Sequence, residues 1–391
     1  MINIAILGFG TVGSGVYEVL KKDGGVIADR VGEEIRIKYI VEIRDFSDHP
    51  DAQLFTKDYN AVLADNSVSI VVEMMGGIEP AYRFTKDAIL HGKSVVPSNK
   101  ALVADQGAEL FALARENGVF YRYEASVGGG IPVIRPMGTC LAANRITRIM
   151  GILNGTTNYI LTQMIDEGKS FDVALSDAQK KGYAEADPTA DVEGHDTCRK
   201  IAILASLIFG KNVDYTRIST EGITGVEPED VEYAEALDSS IKLIGLARIG
   251  EDKVFARVSP MLIPNDSPLA GVKDVFNAVM VTGDNVGEVM LYGSGAGKLP
   301  TASAVVSDVI DIARGITENR RLDWVAGDSS YVTPLSETKV TCLVRSKVEI
   351  EDATCIDIGL EDEKGYILRN IKESDLEVLL KREGVKKCIR M

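Results

Sequence analysis

The first twenty residues constrain this chain more than any other stretch. An apolar run, Ile4-Ala5-Ile6-Leu7, passes directly into Gly8-Phe9-Gly10-Thr11-Val12-Gly13 and then into the helical-looking Ser14–Leu20. A strand, a glycine turn and a helix start in this order make up the dinucleotide fingerprint. Gly8 permits the tight turn, Gly10 lets the backbone approach a pyrophosphate, and Gly13 lets the helix pack closely on the strand. The first amides of the helix, at Thr11 and Val12, form an anion site with its positive dipole end. A lone Gly-x-Gly-x-x-Gly also marks ordinary tight turns. Its place directly after a buried-type strand favours dinucleotide binding here.

Size and charge narrow the remaining classes. A chain of 391 residues exceeds one ordinary core, so two or three domains are expected. A net charge of −15 argues against general affinity for nucleic acid or an anionic membrane. Any phosphate-bearing ligand must therefore find local positive potential in an acidic protein. No apolar stretch is long enough to span a bilayer, and no basic leader precedes the first strand. Cys140, Cys198, Cys342, Cys355 and Cys388 are scattered and form no Cys-x-x-Cys pair, as expected of reduced thiols in a cytoplasmic protein. With only His49, His91 and His195, a histidine-rich transition-metal site is not expected.

Strands and helices alternate through the first third. Ile35–Val41 reads as a second strand, ending at Glu42-Ile43-Arg44-Asp45. An acid at this point binds ribose hydroxyls and an arginine accepts a 2′-phosphate, so NAD and NADP both remain open. Arg44 is a candidate phosphate clamp with Lys57 as helper, or both are surface charges; surface is the better reading for Lys57. Ser69–Glu73 reads as a buried strand, followed by Met74-Met75-Gly76-Gly77 and a helix near 79–91. Ser94–Pro97 is a short strand running into Ser98-Asn99-Lys100-Ala101-Leu102 as a loop, then a helix from about Asp105 and a strand at Val119–Glu124. Such alternation implies a doubly wound parallel sheet, which takes ligands at the carboxyl ends of its strands. Lys100 falls at such an end, which favours a binding role over a surface one. Glu124–Pro132 contains three successive glycines, which suit either a cation site lined by carbonyls or a hinge. On the residues alone, the hinge is the better reading.

After about residue 133 the alternation stops. Arg145–Leu153 reads as a strand, followed by Asn154-Gly155-Thr156-Thr157-Asn158 and two helices, the second closed by Gly182. Tyr183–Glu193 reads as an acidic loop, with a helix over about 194–209 after it. On that helix Asp196 and Lys200 are four apart and share a face. Such pairs are usually surface decoration, but the next turn, Ile201-Ala202-Ile203-Leu204-Ala205, is apolar, which argues for burial and proton transfer. Glu185 and Asp191 suit a cationic substrate group, or simply a solvated loop. Val254–Ile263, Asn277–Thr282 and Val286–Leu291 read as strands. A second glycine loop, Gly293–Gly297, is expected to open a helix over Thr301–Arg314 with Thr301 as its cap, a loop that could return to the cofactor. Residues 335–391 read as a small α+β appendage.

Taken in order, these motifs resemble the homoserine dehydrogenases. The likeness rests on Gly8–Gly13, Val71–Gly77, Asn99–Leu102, Glu124–Pro132, Gly151–Leu161, Gly182–Pro188 through Asp196 and Lys200, Gly293–Gly297 and Pro300–Ala304. It implies NAD(P)-dependent interconversion of L-aspartate 4-semialdehyde and L-homoserine, in threonine and methionine biosynthesis. By position, Lys100 and Lys200 look like the catalytic lysines, with Glu185, Asp191 and Asp196 as substrate-binding and lysine-supporting acids. The resemblance also implies a Na⁺ site at Glu124, Val127, Gly129 and Ile131, cofactor contacts at Gly76, Lys100 and Gly295, and a homodimer through the middle domain.

The expected architecture is a Rossmann-type domain over 1–132, completed by about 293–325. A catalytic and dimerisation domain follows over 133–292, then the appendage. The tail lacks the βαββαβ order of a regulatory ACT domain, so amino-acid feedback is not expected. Nothing kinase-like precedes Met1, so an aspartokinase fusion is not expected. Two rival readings are a dehydrogenase of another small amino-acid aldehyde and a non-catalytic NAD(P)-binding regulator.

Overall fold

A computed structural model describes residues 1–315 and 322–391. Of the 293–325 segment, residues 316–321 therefore lie outside the described residues. The chain forms two compact units. Unit 1 is Met1–Arg145, Ser206–Asp214 and Gly293–Asp328; unit 2 is Ile146–Ala205, Tyr215–Tyr292 and Ser329–Met391. Residues 133–145 thus lie in unit 1, and residues 335–391 share unit 2 with the middle of the chain.

Unit 1 alternates as β1 (Ile2–Leu7), α1 (Thr11–Val31), β2 (Ile35–Val41), β3 (Phe55–Thr56), α2 (Tyr59–Ala64), β4 (Val68–Glu73), α3 (Ala81–Leu90), β5 (Ser94–Pro97) and α4 (Lys100–Glu116), then α5 (Ile134–Gly138). The strands are parallel in the order β3-β2-β1-β4-β5, with Ile4, Ile6 and Val72 fully buried. This is the Rossmann-type sheet expected from the sequence. Successive connections leave β1 in opposite directions, so the crevice that takes ligands lies outside the ends of β1 and β4.

Unit 2 begins with β6 (Ile146–Ile152), α6 (Gly155–Glu167), α7 (Phe171–Lys180), α8 (Thr189–Val192) and α9 (His195–Phe209), whose last residues, from Ser206, belong to unit 1. It continues with β7 (Ser219–Thr220), α10 (Pro228–Ala236), β8 (Ser239–Ile249), β9 (Val254–Pro264), β10 (Phe276–Gly283) and β11 (Gly287–Ser294). After α11 (Lys298–Ala313), which belongs to unit 1, come β12 (Lys339–Ser346), β13 (Thr354–Ile356), β14 (Lys364–Lys372), α12 (Glu373–Leu379) and β15 (Val385–Arg390). One sheet of ten strands runs β11-β10-β6-β8-β9-β15-β12-β14-β13, with β7 paired to β9. The C-terminal strands join it where Arg390 of β15 pairs with Met261 of β9. A buried ionic cluster reinforces that layer: Arg345 meets Asp230 at 2.6 Å, Glu363 at 2.7 Å and Glu227 at 2.8 Å.

Several local expectations are corrected. Helix α4 starts at Lys100, not Asp105, because the Oδ1 of Asn99 accepts the Leu102 amide at 3.2 Å and caps it. Residues 119–124 form no strand. Only Tyr121 bridges to Val95, and the chain then tightens into a 3₁₀ turn at Glu124–Ser126. Thr301 is not a cap: α11 begins a turn earlier at Lys298, with Gly297 before it, and Thr301 is buried within the helix. Strands β8 and β15 and helix α10 were not expected. Within β8, Gly245 has a packing reason: a Cβ there would sit 3.1 Å from Thr197 and 3.2 Å from Ile201 of α9.

Candidate active site

In unit 1, backbone sterics account for the fingerprint glycines. Gly8 has φ +90°, and a Cβ on Gly13 would lie 2.1 Å from the Gly8 carbonyl oxygen. A Cβ on Gly10 would meet nothing within 4 Å, so this backbone borders open space that suits a phosphate. The first intrahelical bond of α1 runs from Ser14 N–H to Gly10. The amides of Thr11, Val12 and Gly13 precede it and lack a helical acceptor, as an anion site needs. These residues fit a bound dinucleotide.

At the end of β2 the Glu42 carboxylate is already engaged. It accepts from Phe9 N at 2.8 Å, Ile43 N at 2.9 Å, Arg44 N at 3.1 Å and Arg44 Nη2 at 2.9 Å. The Arg44 guanidinium leads in drawing its pKa down to about 2, helped by the Phe9 and Arg44 amides against the cost of burial. Arg44 also donates to the Phe9 carbonyl at 2.8 Å and lies over the Phe46 ring. Lys57 is exposed, and its charge acts on Asp45.

Two further segments of unit 1 carry expected site residues. Lys100 is the half-buried first residue of α4. The Asn99 side chain beside it donates to the Gly77 carbonyl at 2.6 Å, tying the turn that contains Gly76 to the helix start. In the segment between α4 and α5, Gly129 packs so closely that a Cβ would lie 2.4 Å from the Gly295 carbonyl. The Glu124 carboxylate is engaged by backbone amides. It accepts the amides of Val133 at 2.5 Å, Ile134 at 2.7 Å and Arg135 at 2.9 Å, capping α5.

Unit 2 holds the residues expected to act as acid and base. Lys200 Nζ donates to Asp196 Oδ2 and to the Leu153 carbonyl, both at 2.7 Å. Lys200 is 8% exposed and Asp196 2%, so this pair is no surface decoration. The Nδ2 of Asn154 donates to Asp191 Oδ1 at 2.7 Å and to Asp196 Oδ2 at 2.9 Å. Its Oδ1 accepts Thr157 N at 2.9 Å, capping α6. One carboxamide thus joins two acids on separate elements. Asn154 was not singled out from the sequence; its only signal there is an N-cap residue directly after a strand. Asp191 belongs to the cluster, whereas Glu185 is exposed on the loop between α7 and α8. Among the described residues no group of three or more His, Cys, Asp or Glu is placed to hold a metal, and no helix is long and apolar enough to cross a membrane.

A glycine cradle open to a dinucleotide and a buried lysine–aspartate pair define an NAD(P)-dependent oxidoreductase. Comparison with known proteins gives the family. The model of the homoserine dehydrogenase NAD-binding domain matches residues 8–124, and that of homoserine dehydrogenase matches residues 132–310. A homoserine dehydrogenase of Synechocystis is 48% identical over 332 residues, covering 82% of this chain and 76% of its own length. That of Bacillus subtilis is 42% identical over 369 residues, covering 93% and 82%. The crystal structure of a homoserine dehydrogenase from Thiobacillus denitrificans superposes with a TM-score of 0.89 at 37% identity, covering 100% of this chain and 97% of its own. A hyperthermophilic archaeal homoserine dehydrogenase mutant in complex with NADPH gives 0.70 at 29% identity, covering 82% and 99%. The chain belongs to the homoserine dehydrogenase family, whose work is in amino-acid biosynthesis.

Proposed function

We propose that this chain interconverts L-aspartate 4-semialdehyde and L-homoserine by hydride transfer with lysine acid–base catalysis. The observation that carries this reading is the buried cluster of Lys200, Asp196, Asn154 and Asp191. A nicotinamide supplies hydride to the carbonyl carbon when bound. Lys200 gives a proton to the oxygen on which charge develops, and Asp196 orients it and offsets its charge. Lys100 serves as the second amine of the reaction, and Asp191 and Glu185 take the polar ends of the substrate. A regulator that only senses the cofactor has no need of a desolvated ion pair.

NADP(H) is the favoured cofactor in this reading, because Glu42 is engaged with Phe9 and Arg44 while the Arg44 guanidinium stays largely exposed. A Na⁺ ion would rest on the carbonyls of Val127, Gly129 and Ile131, since the Glu124 side chain caps α5. A homodimer through the unit 2 sheet suits its partly exposed Met150, Phe255, Phe276 and Met290. The site of action is the cytoplasm. The test is loss of reduced-nicotinamide absorbance with aspartate semialdehyde, run with NADPH and NADH. Turnover with other amino-acid aldehydes but not this one would overturn the substrate assignment.

A further inference from the structure

We propose that Glu73, the last residue of β4, is a positioning residue of the hydride-transfer site: as an uncharged carboxylic acid it holds the Met74–Gly77 turn and the Asn99-Lys100 helix start in one arrangement. The inference rests on the cofactor and Lys100 assignments above. Glu73 stands where three strand ends of unit 1 meet. It lies opposite Leu7 of β1 and Pro97 of β5, and its carbonyl accepts Ser98 N at 3.0 Å. Met74 N donates to the Leu7 carbonyl at 2.8 Å, and a Cβ on Gly8 would meet the Met74 carbonyl oxygen at 3.1 Å. The turn that Glu73 begins therefore lies against the first fingerprint glycine.

The side chain fastens this junction. Its Oε1 accepts Met75 N at 2.7 Å, while its own carbonyl holds Ser98 N, the residue before Asn99. Asn99 holds Gly77 through Nδ2 and caps α4 through Oδ1, so the turn that Glu73 fastens is tied to the residue that precedes Lys100.

The surroundings favour the neutral form. Glu73 is fully buried, its Oε2 has no hydrogen-bond partner, and the groups that meet it are uncharged. The titratable group that senses its charge is the Tyr121 phenol, buried and itself without a partner. Leu7 and Pro97 bring no charge from the flanking strands, and Lys100 follows Asn99 on α4. An ionised carboxylate in such a place is strongly disfavoured. Burial accordingly pushes its pKa up to about 8. Above that pH the buried anion draws in water or cations, and the turn loosens.

NADPH binding, followed by nicotinamide fluorescence between about pH 6.5 and 9.5, tests this on wild type, Glu73→Gln and Glu73→Met, each with a melting curve. Wild-type affinity should fall about tenfold or more as pH rises through the titration, while Glu73→Gln stays within about twofold. Glu73→Met, uncharged but without an acceptor for Met75 N–H, should bind about tenfold more weakly at every pH. The same pH dependence in wild type and Glu73→Gln would overturn the proposal alone. Should Glu73→Gln show no melting transition, Glu73→Met carries the test: a flat profile supports the proposal and a wild-type profile overturns it. Absence of NADPH binding by wild type at any pH would overturn the cofactor reading itself, and the proposal with it.

Discussion

The Nζ of Lys200 lies 2.7 Å from the Oδ2 of Asp196, one turn earlier on α9, and both side chains are buried. Desolvation strengthens the attraction between them and makes either partner costly to leave alone. Removing the amine should therefore affect chemistry far more than cofactor binding. Lys200→Ala is expected to lower kcat by about 10²–10⁴ with NADPH affinity near that of wild type. Steady-state kinetics beside a binding titration decide it, and activity within a few-fold of wild type would remove Lys200 from the mechanism.

Asn154 does two jobs, and substitutions separate them. Ser keeps the N-cap of α6 but cannot reach both Asp191 and Asp196. Asn154→Ser should thus melt close to wild type while kcat falls about tenfold or more. Asn154→Ala should lose the cap as well, at about 1 kcal/mol of stability. Equal melting temperatures and equal kcat for all three proteins would show that the bridge has no catalytic role.

Arg44 is exposed enough to meet a phosphate and is held in place by Glu42 and the Phe9 carbonyl. Arg44→Ala should weaken NADP(H) more than NAD(H), as read from Kd or KM for each cofactor. Equal losses would take Arg44 out of the phosphate-clamp role.

Asp308, on α11, is fully enclosed and accepts the Glu124 amide at 2.7 Å. Burial and then the Glu124 charge push its pKa up to about 8, against the pull of Arg135. The native state thus keeps a proton that the unfolded chain releases near pH 4, and stability from this group falls as pH rises from about 4 to about 8. The melting temperature of Asp308→Asn minus that of wild type should increase across this window. A constant difference by calorimetry would refute the assignment.

The strand–turn–helix at Ile4–Gly13 was legible because its signals are local, and α9 because an apolar turn follows Lys200 directly. Strand β8 was not. Ser239–Ile249 is buried on both faces, lacks alternation, and contains Lys242 and Gly245. Lys242 is placed there by the Val272 carbonyl, 30 positions away. In β15, charged residues hide a short strand whose partners come from β12 and β9. The roles of Asn154 and Glu73 depend on neighbours that only folding supplies: Asp191 and Asp196 are 37 and 42 positions from Asn154. No spacing rule reaches so far. The start of α4 was missed for the opposite reason, since Asn99 carried a cap signal read instead as loop.

Helix α11 returns from residue 298 to lie on α1 so closely that a Cβ on Gly15 would strike the Lys298 carbonyl at 2.7 Å and Ala302 at 3.0 Å. The nucleotide-binding half is therefore not a detachable module. Grafting residues 1–145 from a relative would set a foreign α1 against the resident α11, with no room at Gly15 to absorb a mismatch. An exchange of this half would have to carry α11 along with residues 1–145.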